Sequence, residues 1–174
     1  RPLAPVVAEI IEAATIVRKE GILAVARPGA GGAGNTQGNI QGHIQDPLLR
    51  QGLQFVADGF EPATIREVLE ELIDRARADE LAAARVFEAA GGYAPTVGIL
   101  GAVLGLIHVM SMLNDPSKIG QGIAVAFVAT VYGVAGANLL LLPWANKLRR
   151  RAELRAEMRE LVLSGVLGIQ EGLN

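Results

Sequence analysis

The spacing of apolar and polar residues predicts an amphipathic helix at the start of the chain. In residues 3–25, apolar side chains recur at three- and four-residue steps, and charged side chains occupy the other faces. Pro28 and Gly29 end this pattern. Residues 28–45 are so rich in glycine that a helix there would cost too much backbone entropy, and they are predicted to form a flexible loop, most simply a linker.

Two further helices are predicted after that loop. Asp46 can cap free helix amides and Pro47 suits the first helical position, so a short helix should run to about Ala57. A longer amphipathic helix is predicted over residues 61–90 because apolar residues again recur on one face. The glycine pair at 91–92 is predicted to end that helix or to act as a hinge.

Two long apolar runs dominate the second half of the chain. Residues 93–113 and 123–144 each have about the length needed to cross a hydrocarbon core roughly 30 Å thick, and a polar turn at 114–117 follows the first run. Across both runs and their connection, the charged residues are Asp115 and Lys118. This arrangement predicts a transmembrane helical hairpin, and the alternative is a hairpin buried in a large soluble bundle.

Basic residues follow the second apolar run. Lys147 and the three arginines at 149–151 lie just beyond it, and basic residues favour the cytoplasmic side of a membrane. Both ends of the hairpin are therefore expected in the cytoplasm, with Trp144 at the inner interface. Residues 146–172 are predicted to form a charged amphipathic helix packed against the helices before the hairpin. Its expected apolar stripe is Leu154, Met158, Leu161, Val162, Val166 and Ile169.

The chain is therefore predicted to be an all-α membrane protein in three parts. These are a cytoplasmic helical domain over 1–92, the transmembrane hairpin over 93–144 and a cytoplasmic C-terminal helix over 145–174. Arg1 stands where a methionine would begin a complete chain, and no signal-peptide pattern follows it. A fragment of a longer protein is therefore expected.

Composition argues against several classes of function. A net charge of -2 gives no concentrated basic surface for nucleic acid. With no cysteine and two histidines, His43 and His108, neither disulfides nor a metal site are expected. The sequence contains no recognisable catalytic triad or phosphate-binding loop, so we predict that the protein is not an enzyme.

Small residues at helical spacing predict close packing within the hairpin. Gly98, Gly101 and Gly105 lie on one face of the first run, and Gly133 belongs to a similar set in the second run. Where lipid removes the hydrophobic drive for association, small residues allow helix backbones to approach closely.

A few polar groups within the hairpin are candidates for function. Pro95 removes an amide donor just before Thr96, and Thr130 lies in the middle of the second run. Each hydroxyl either bonds to its own helix one turn back or lines a water-accessible ion path. His108 is expected to have a structural role near the outer interface, and Asn138 could join two helices. Because an ion relay normally needs an ionisable group inside the membrane, an ion-driven machine would need its acid from another chain.

Several strings in this sequence resemble the MotA/PomA family of flagellar stator subunits, within the wider MotA/TolQ/ExbB superfamily. The resemblance covers nearly the whole chain except residues 26–45. The strings are Arg18-Lys19-Glu20-Gly21-Ile22-Leu23, Ala94-Pro95-Thr96, Asn114-Asp115-Pro116-Ser117, the run at 122–130, Ala137-Asn138-Leu139, Leu142-Pro143, Ala145-Asn146-Lys147-Leu148 and Ile169-Gln170-Glu171-Gly172.

The resemblance implies a particular assembly. Family members have four membrane helices, of which this chain would hold the last two, and a pentameric ring of A subunits surrounds a dimer of B subunits in the bacterial inner membrane. The B subunit supplies the essential aspartate, and the complex transports H⁺ or Na⁺ without a bound cofactor.

The resemblance also implies roles for individual residues. Pro95 matches a proline near the ion path, and Pro143 matches one that couples ion passage to conformational change. Thr96 and Thr130 match positions that face the B-subunit helix and its ion.

A rotor contact is implied at the end of the first helix. Arg18, with Lys19 beside it, matches a cytoplasmic arginine that engages the rotor protein FliG by charge. The family commonly has a Leu-Glu pair after the glycine of this helix, whereas this chain has Val25-Ala26.

The leading prediction is therefore a stator subunit that, with a B subunit, converts ion-motive force into torque on the rotor. The alternatives are a TolQ/ExbB-type energiser of an outer-membrane system and a non-conducting helical scaffold. Thr96 and Thr130 are compatible with the transport of either protons or sodium.

Overall fold

The computed structural model describes residues 3–22, 44–111, 114 and 116–172, and over these residues the regular structure is helical throughout. The all-α prediction is confirmed. The elements are α1 (Leu3–Glu20), α2 (Pro47–Ala57), α3 (Pro62–Met110), α4 (Pro116–Ala135), a π-helical segment (Gly136–Leu141) and α5 (Leu142–Gln170).

The first helix is shorter than predicted. It ends at Glu20 instead of near residue 25, because Gly21 adopts a left-handed backbone conformation with φ of 83° and its N–H donates to the Val17 carbonyl at 2.9 Å. Glycine is favoured at this position after a helix since it has no Cβ to strain that conformation. The loop predicted over 28–45 lies outside the described residues except for its last two.

The start of α2 is capped as the sequence predicts. The Asp46 side chain accepts hydrogen bonds from the backbone N–H groups of Leu48 and Leu49, both at 3.0 Å. A carboxylate oxygen of Glu9, in α1, in turn accepts from the N–H groups of Gln45 and Asp46, both at 3.1 Å. These bonds attach the beginning of α2 to α1.

Replacing Asp46 with alanine should therefore loosen the first turn of α2. Loss of an N-cap acceptor typically costs about 1 kcal/mol, so hydrogen exchange at the Leu48 and Leu49 amides should accelerate about fivefold. Hydrogen exchange measured by mass spectrometry on the full-length protein checks this. Asp46→Asn, which keeps an acceptor oxygen, should exchange like the wild type, and equal acceleration in both variants would rule out the cap as the cause.

The described residues form two compact units. The first comprises Arg1–Arg77 and Glu153–Asn174, and the second comprises Ala78–Ala152. The first unit has a core of large aliphatic side chains from α1, α2, the start of α3 and the end of α5. Its buried residues include Val6, Leu49, Leu53, Ile65, Leu69, Val162 and Val166.

The buried face of α5 differs in part from the predicted stripe. Val162, Val166 and Ile169 are buried as expected, whereas Leu154 and Leu161 are 50% and 37% exposed. Leu163 and Leu167 are buried in addition. This part of α5 packs against several helices at once, so its buried face includes adjacent positions and is wider than a single stripe.

The glycine pair at 91–92 does not end α3, contrary to one of the predicted possibilities. The helix runs without interruption through both glycines and through Pro95. A methyl group on Gly91 would lie 2.7 Å from the Leu142 side chain, whereas one on Gly92 would meet nothing within 4 Å. Gly91 therefore provides room for a neighbouring helix, and the helical backbone is retained.

The helix that contains the second apolar run also continues beyond the end of that run. The helical structure is continuous from Ile119 to Gln170, so the predicted C-terminal helix is the direct continuation of the second span. Within it, the π-helical segment Gly136–Leu141 separates α4 from α5.

Two described helical runs are long and apolar enough to cross a membrane. They are Pro62–Met110 and Ile119–Gln170, whose most apolar windows have mean hydropathies of 1.7 and 2.0 and are 11% buried. Large side chains in these windows, such as Leu104 at 59% and Val131 at 63%, are exposed. Soluble monomers rarely expose large apolar surfaces, so this distribution fits a hairpin whose surface faces lipid or partner chains.

Candidate functional site

The two hairpin helices are in backbone contact at a pair of glycines. A methyl group on Gly98 would lie 2.9 Å from the Ala129 carbonyl oxygen, and one on Gly133 would lie 2.7 Å from the Ala94 carbonyl oxygen and 2.9 Å from the Gly98 Cα. The obstructing atoms are backbone atoms, which cannot rotate away. Either position therefore admits a hydrogen and no larger group without separating the helices.

Further small residues continue this contact along α3. A methyl group on Gly105 would lie 2.9 Å from the Ala126 Cβ, and one on Gly101 would lie 3.2 Å from the Ala129 Cβ. The structure thus brings the four glycines predicted for packing into one contact between α3 and α4. This contact holds the facing backbone groups of α3 and α4, including the Gly98 carbonyl, in fixed positions.

Thr130 lies within this contact. Its hydroxyl donates to the Gly98 carbonyl of the facing helix at 3.5 Å instead of to its own helix one turn back, which was the first of the two predicted possibilities. The distance is long for a hydroxyl hydrogen bond, which leaves the group weakly held. Thr96 is exposed, and its side chain makes no hydrogen bond within the described part of the chain.

The two prolines occupy different backbone settings. Pro95 is half-buried inside α3, where its ring deprives the Gly91 carbonyl of its usual helical donor. Pro143 is exposed and is the second residue after the π-helical segment, which ends at Leu141.

The π-helical segment has a direct relation to Pro143. The N–H of Leu142 bonds to the Ala137 carbonyl, five residues back, instead of four. In a regular α-helix, the ring of Pro143 would clash with the carbonyl of Leu139, four residues before it. The wider π turn removes that clash, and such turns are frequent at functional sites.

Asn138 does not connect two helices. Its side-chain amide donates to the Val134 carbonyl at 2.9 Å, one turn back in its own helix. His108 is exposed near the end of α3, and its carbonyl accepts a hydrogen bond from the Ser111 hydroxyl at 2.6 Å.

Sequence reasoning missed a second set of contacts at the base of the hairpin. Phe87 and Trp144 meet edge to face with ring centroids 5.9 Å apart, and Arg149 forms an ion pair with Glu88 at 3.0 Å. Gly91 receives the Leu142 side chain beside them. These contacts join α3 to α5 on the side of the hairpin away from the turn.

A seven-residue step in α3 could have revealed this base. Ala84, Gly91, Gly98 and Gly105 are all small and seven residues apart, a repeat that keeps one helix face against a neighbour. The first three of these residues are buried. The sequence-based packing face starts only at Gly98, the third member, because a glycine pair such as 91–92 also fits a helix end or a hinge.

The predicted rotor-contact residues lie elsewhere. Arg18 and Lys19 are exposed in the last turn of α1, within the first compact unit. Two cations near a helix C-terminus are favourably placed relative to the helix dipole, so their position alone requires no partner.

Among the described residues of the hairpin, the Thr130 hydroxyl bridges the two helices and no carboxylate accompanies it. From 89 to 152 the sequence has Asp115 as its single carboxylate, and that residue lies outside the described ranges. Over the described residues, no three His, Cys, Asp or Glu side chains are grouped so that they could hold a metal ion. The site can contribute the Thr130 hydroxyl, a backbone carbonyl that Pro95 leaves without its helical donor, and a close contact between two helices.

Comparisons with known proteins agree on one family. The family model of the MotA/TolQ/ExbB proton channel family matches residues 41–161. Motility protein A of Bacillus subtilis is 35% identical over 161 residues, which are 92% of this chain and 55% of the relative. The chain therefore spans little more than half the length of this relative.

Two solved structures resemble the fold closely. The structure of C. jejuni MotAB matches with a TM-score of 0.87 and 29% identity over 100% of this chain and 64% of the other. The flagellar MotAB stator complex from Bacillus subtilis matches with a TM-score of 0.78 and 34% identity over 93% of this chain and 59% of the other.

Proposed function

Since the chain belongs to the MotA/TolQ/ExbB proton channel family, we propose that it is part of the A subunit of a flagellar motor stator. The full protein is a multi-pass protein of the bacterial inner membrane, with α1, α2 and the end of α5 in the cytoplasm. Together with a B subunit it conducts H⁺ or Na⁺ and converts that flow into torque.

The observation that carries this proposal is a packed hairpin whose two apolar spans contain no carboxylate. Small residues hold α3 and α4 in contact around the Thr130 hydroxyl, yet neither span contains a carboxylate that could relay an ion. An aspartate from the B subunit would supply it. The relatives solved as MotAB complexes support such a partner for this chain.

The residues of the hairpin then take distinct roles. Thr96, which is exposed, faces the B-subunit helix. Thr130 offers a weakly held hydroxyl to the passing ion. Pro95 and Pro143 loosen the backbone at the two ends of the base region, so that ion binding can be coupled to movement.

The proposed assembly is a pentameric ring of A subunits around two B subunits. The apolar surface of the spans, exposed in the single chain, would then face lipid on one side and neighbouring subunits on the other. In the cytoplasm, the exposed Arg18 and Lys19 would engage acidic groups of the rotor protein FliG.

A complementation experiment tests this function. The full-length protein, expressed with its B subunit in a strain that lacks stators, should restore swimming. Thr130→Val, which keeps the shape of the side chain and removes its hydroxyl, should lower ion flux and torque about tenfold, the effect expected when a polar group loses its partner. Thr130→Ser keeps the hydroxyl and should swim nearly normally.

Other results would favour the alternatives. A deletion strain that swims normally but loses envelope integrity or siderophore uptake would indicate a TolQ/ExbB-type energiser. Normal flux and torque in separate variants of Pro95, Thr96 and Thr130 would indicate a scaffold that conducts no ions.

A further inference from the structure

A groove at the base of the hairpin combines aromatic and basic side chains. It has a volume of about 310 Å³ and is lined by Phe87, Trp144, Lys147, Leu148 and Arg151. We call it the basal groove. All five residues belong to the second compact unit, so the groove lies within that unit, between α3 and α5.

The lining residues of α5 share one helix face. Trp144, Lys147, Leu148 and Arg151 stand at positions i, i+3, i+4 and i+7, which places them one above another. Apolar and cationic side chains therefore alternate along the groove. Trp144 is 53% exposed although its ring contacts Phe87 edge to face, so part of the indole remains available.

The cations of the groove have no ion-pair partner in the part of the chain that the structure describes. Neither Lys147 nor Arg151 forms an ion pair within the described residues, and both are exposed. The nearby Glu88 carboxylate is already paired with Arg149 at 3.0 Å. The groove thus presents two cations and no competing free carboxylate among its lining residues.

The position of the groove determines what can fill it. Trp144 ends the second apolar span and Lys147 begins the basic stretch, so the groove lies where hydrocarbon gives way to headgroups. Basic pockets on the cytoplasmic side of membrane helices suit anionic headgroups, and aromatic side chains are favoured at that level.

We propose that the basal groove binds one anionic phospholipid of the cytoplasmic leaflet, with its phosphate at Lys147 and Arg151 and its acyl chain along Trp144 and Leu148. This inference rests on the membrane placement proposed above. A bound lipid would contact both α3 and α5 just below the π-helical segment, so it would also stabilise the base of the hairpin.

Quenching of Trp144 fluorescence by brominated lipids tests the inference. The full-length protein with its B subunit is placed in phosphatidylcholine vesicles containing a minor fraction of brominated phosphatidylglycerol or brominated phosphatidylcholine. The difference from a Trp144→Phe complex isolates the signal of this residue. Phosphatidylglycerol should be preferred at least tenfold, and Lys147→Gln or Arg151→Gln should each lower the preference about fivefold.

Arg150→Gln is the matched control because it removes the same charge from the next position, and Arg150 does not line the groove. This variant should keep the preference for phosphatidylglycerol over phosphatidylcholine within about twofold of the wild-type value, since a surface cation remote from the headgroup contributes little. An equal loss in Arg150→Gln would overturn the site, and so would equal quenching by the two lipids. If inorganic phosphate abolished the preferential quenching by brominated phosphatidylglycerol, the occupant of the groove would be a free phosphate and the lipid proposal would be overturned.

Resistance of the complex to alkaline extraction reports membrane placement separately. A complex that resists extraction but is quenched by neither lipid has its groove covered by another copy of the chain, which overturns the lipid site and leaves the proposed function intact. A complex that is extracted from the vesicles contradicts both.

Discussion

Replacing Gly133 with valine is expected to abolish swimming by preventing the hairpin from packing. A methyl group at this position already meets the Ala94 carbonyl oxygen at 2.7 Å and the Gly98 Cα at 2.9 Å. Overpacking typically costs about 1–3 kcal/mol where side chains can move. Here backbone atoms obstruct the new group, so Gly133→Val should cost more than about 3 kcal/mol.

Gly120→Ala provides the matched control for this position. Gly120 lies in the same helix, and a methyl group there meets nothing within 4 Å. Alanine is intrinsically better than glycine in a helix by up to about 1 kcal/mol, so this variant should be neutral or slightly stabilising. The melting temperature of the detergent-purified complex with the B subunit, and swimming speed, measure both effects. A Gly133→Val complex that melts and swims like Gly120→Ala would refute the close contact.

Replacing Pro143 with alanine should raise stability while torque falls at least tenfold. Alanine restores an amide donor and removes the ring that would clash with the Leu139 carbonyl, so α4 and α5 can merge into one regular helix. A proline within a helix costs about 3 kcal/mol, and part of this should be recovered. Loss of the π turn changes the helical register by about one residue, which rotates one part of the helix by roughly 100° relative to the other.

The opposite signs of the two effects distinguish this prediction from simple damage. Leu140→Ala trims a side chain that is 52% exposed in the same π-helical segment and leaves every backbone donor in place, so its torque should stay near the wild-type value. Torque on tethered cells and thermal melting of the complex are the measurements. Reduced stability in Pro143→Ala, or unchanged torque, would show that the π turn does not depend on this proline in the way proposed.

The hairpin and the cap of α2 could be predicted from sequence because each depends on local information. Apolar runs of membrane length are evident from composition alone, and Asp46 followed by Pro47 determines where α2 begins. The end of α1 at Gly21 was missed because glycine is compatible with both a helix interior and a helix end. Only the observed backbone conformation decides between these.

The seven-residue step of small residues in α3 indicates a packed face at the base of the hairpin, but the partners of that face could not be predicted because they are distant in sequence. Gly91 and Gly92 look alike in sequence, yet only Gly91 accommodates Leu142. The tertiary contact outweighs the low helix propensity of the pair. The π-helical segment is similar, since Pro143 indicates that the helix must be disturbed but not whether it bends, breaks or widens. The hydrogen bond from Thr130 to Gly98 also required knowing how α3 and α4 are aligned.

The interiors of the two compact units are sensitive to opposite changes in side-chain size. The first unit is filled by leucine, isoleucine and valine, whereas the buried residues of the second are alanine and glycine apart from Val109. Trimming a side chain damages the first unit because it leaves a void, while enlarging one damages the second because it separates helices. Substitutions in this gene are therefore limited by a minimum size of the buried side chains in the first unit and by a maximum size in the second.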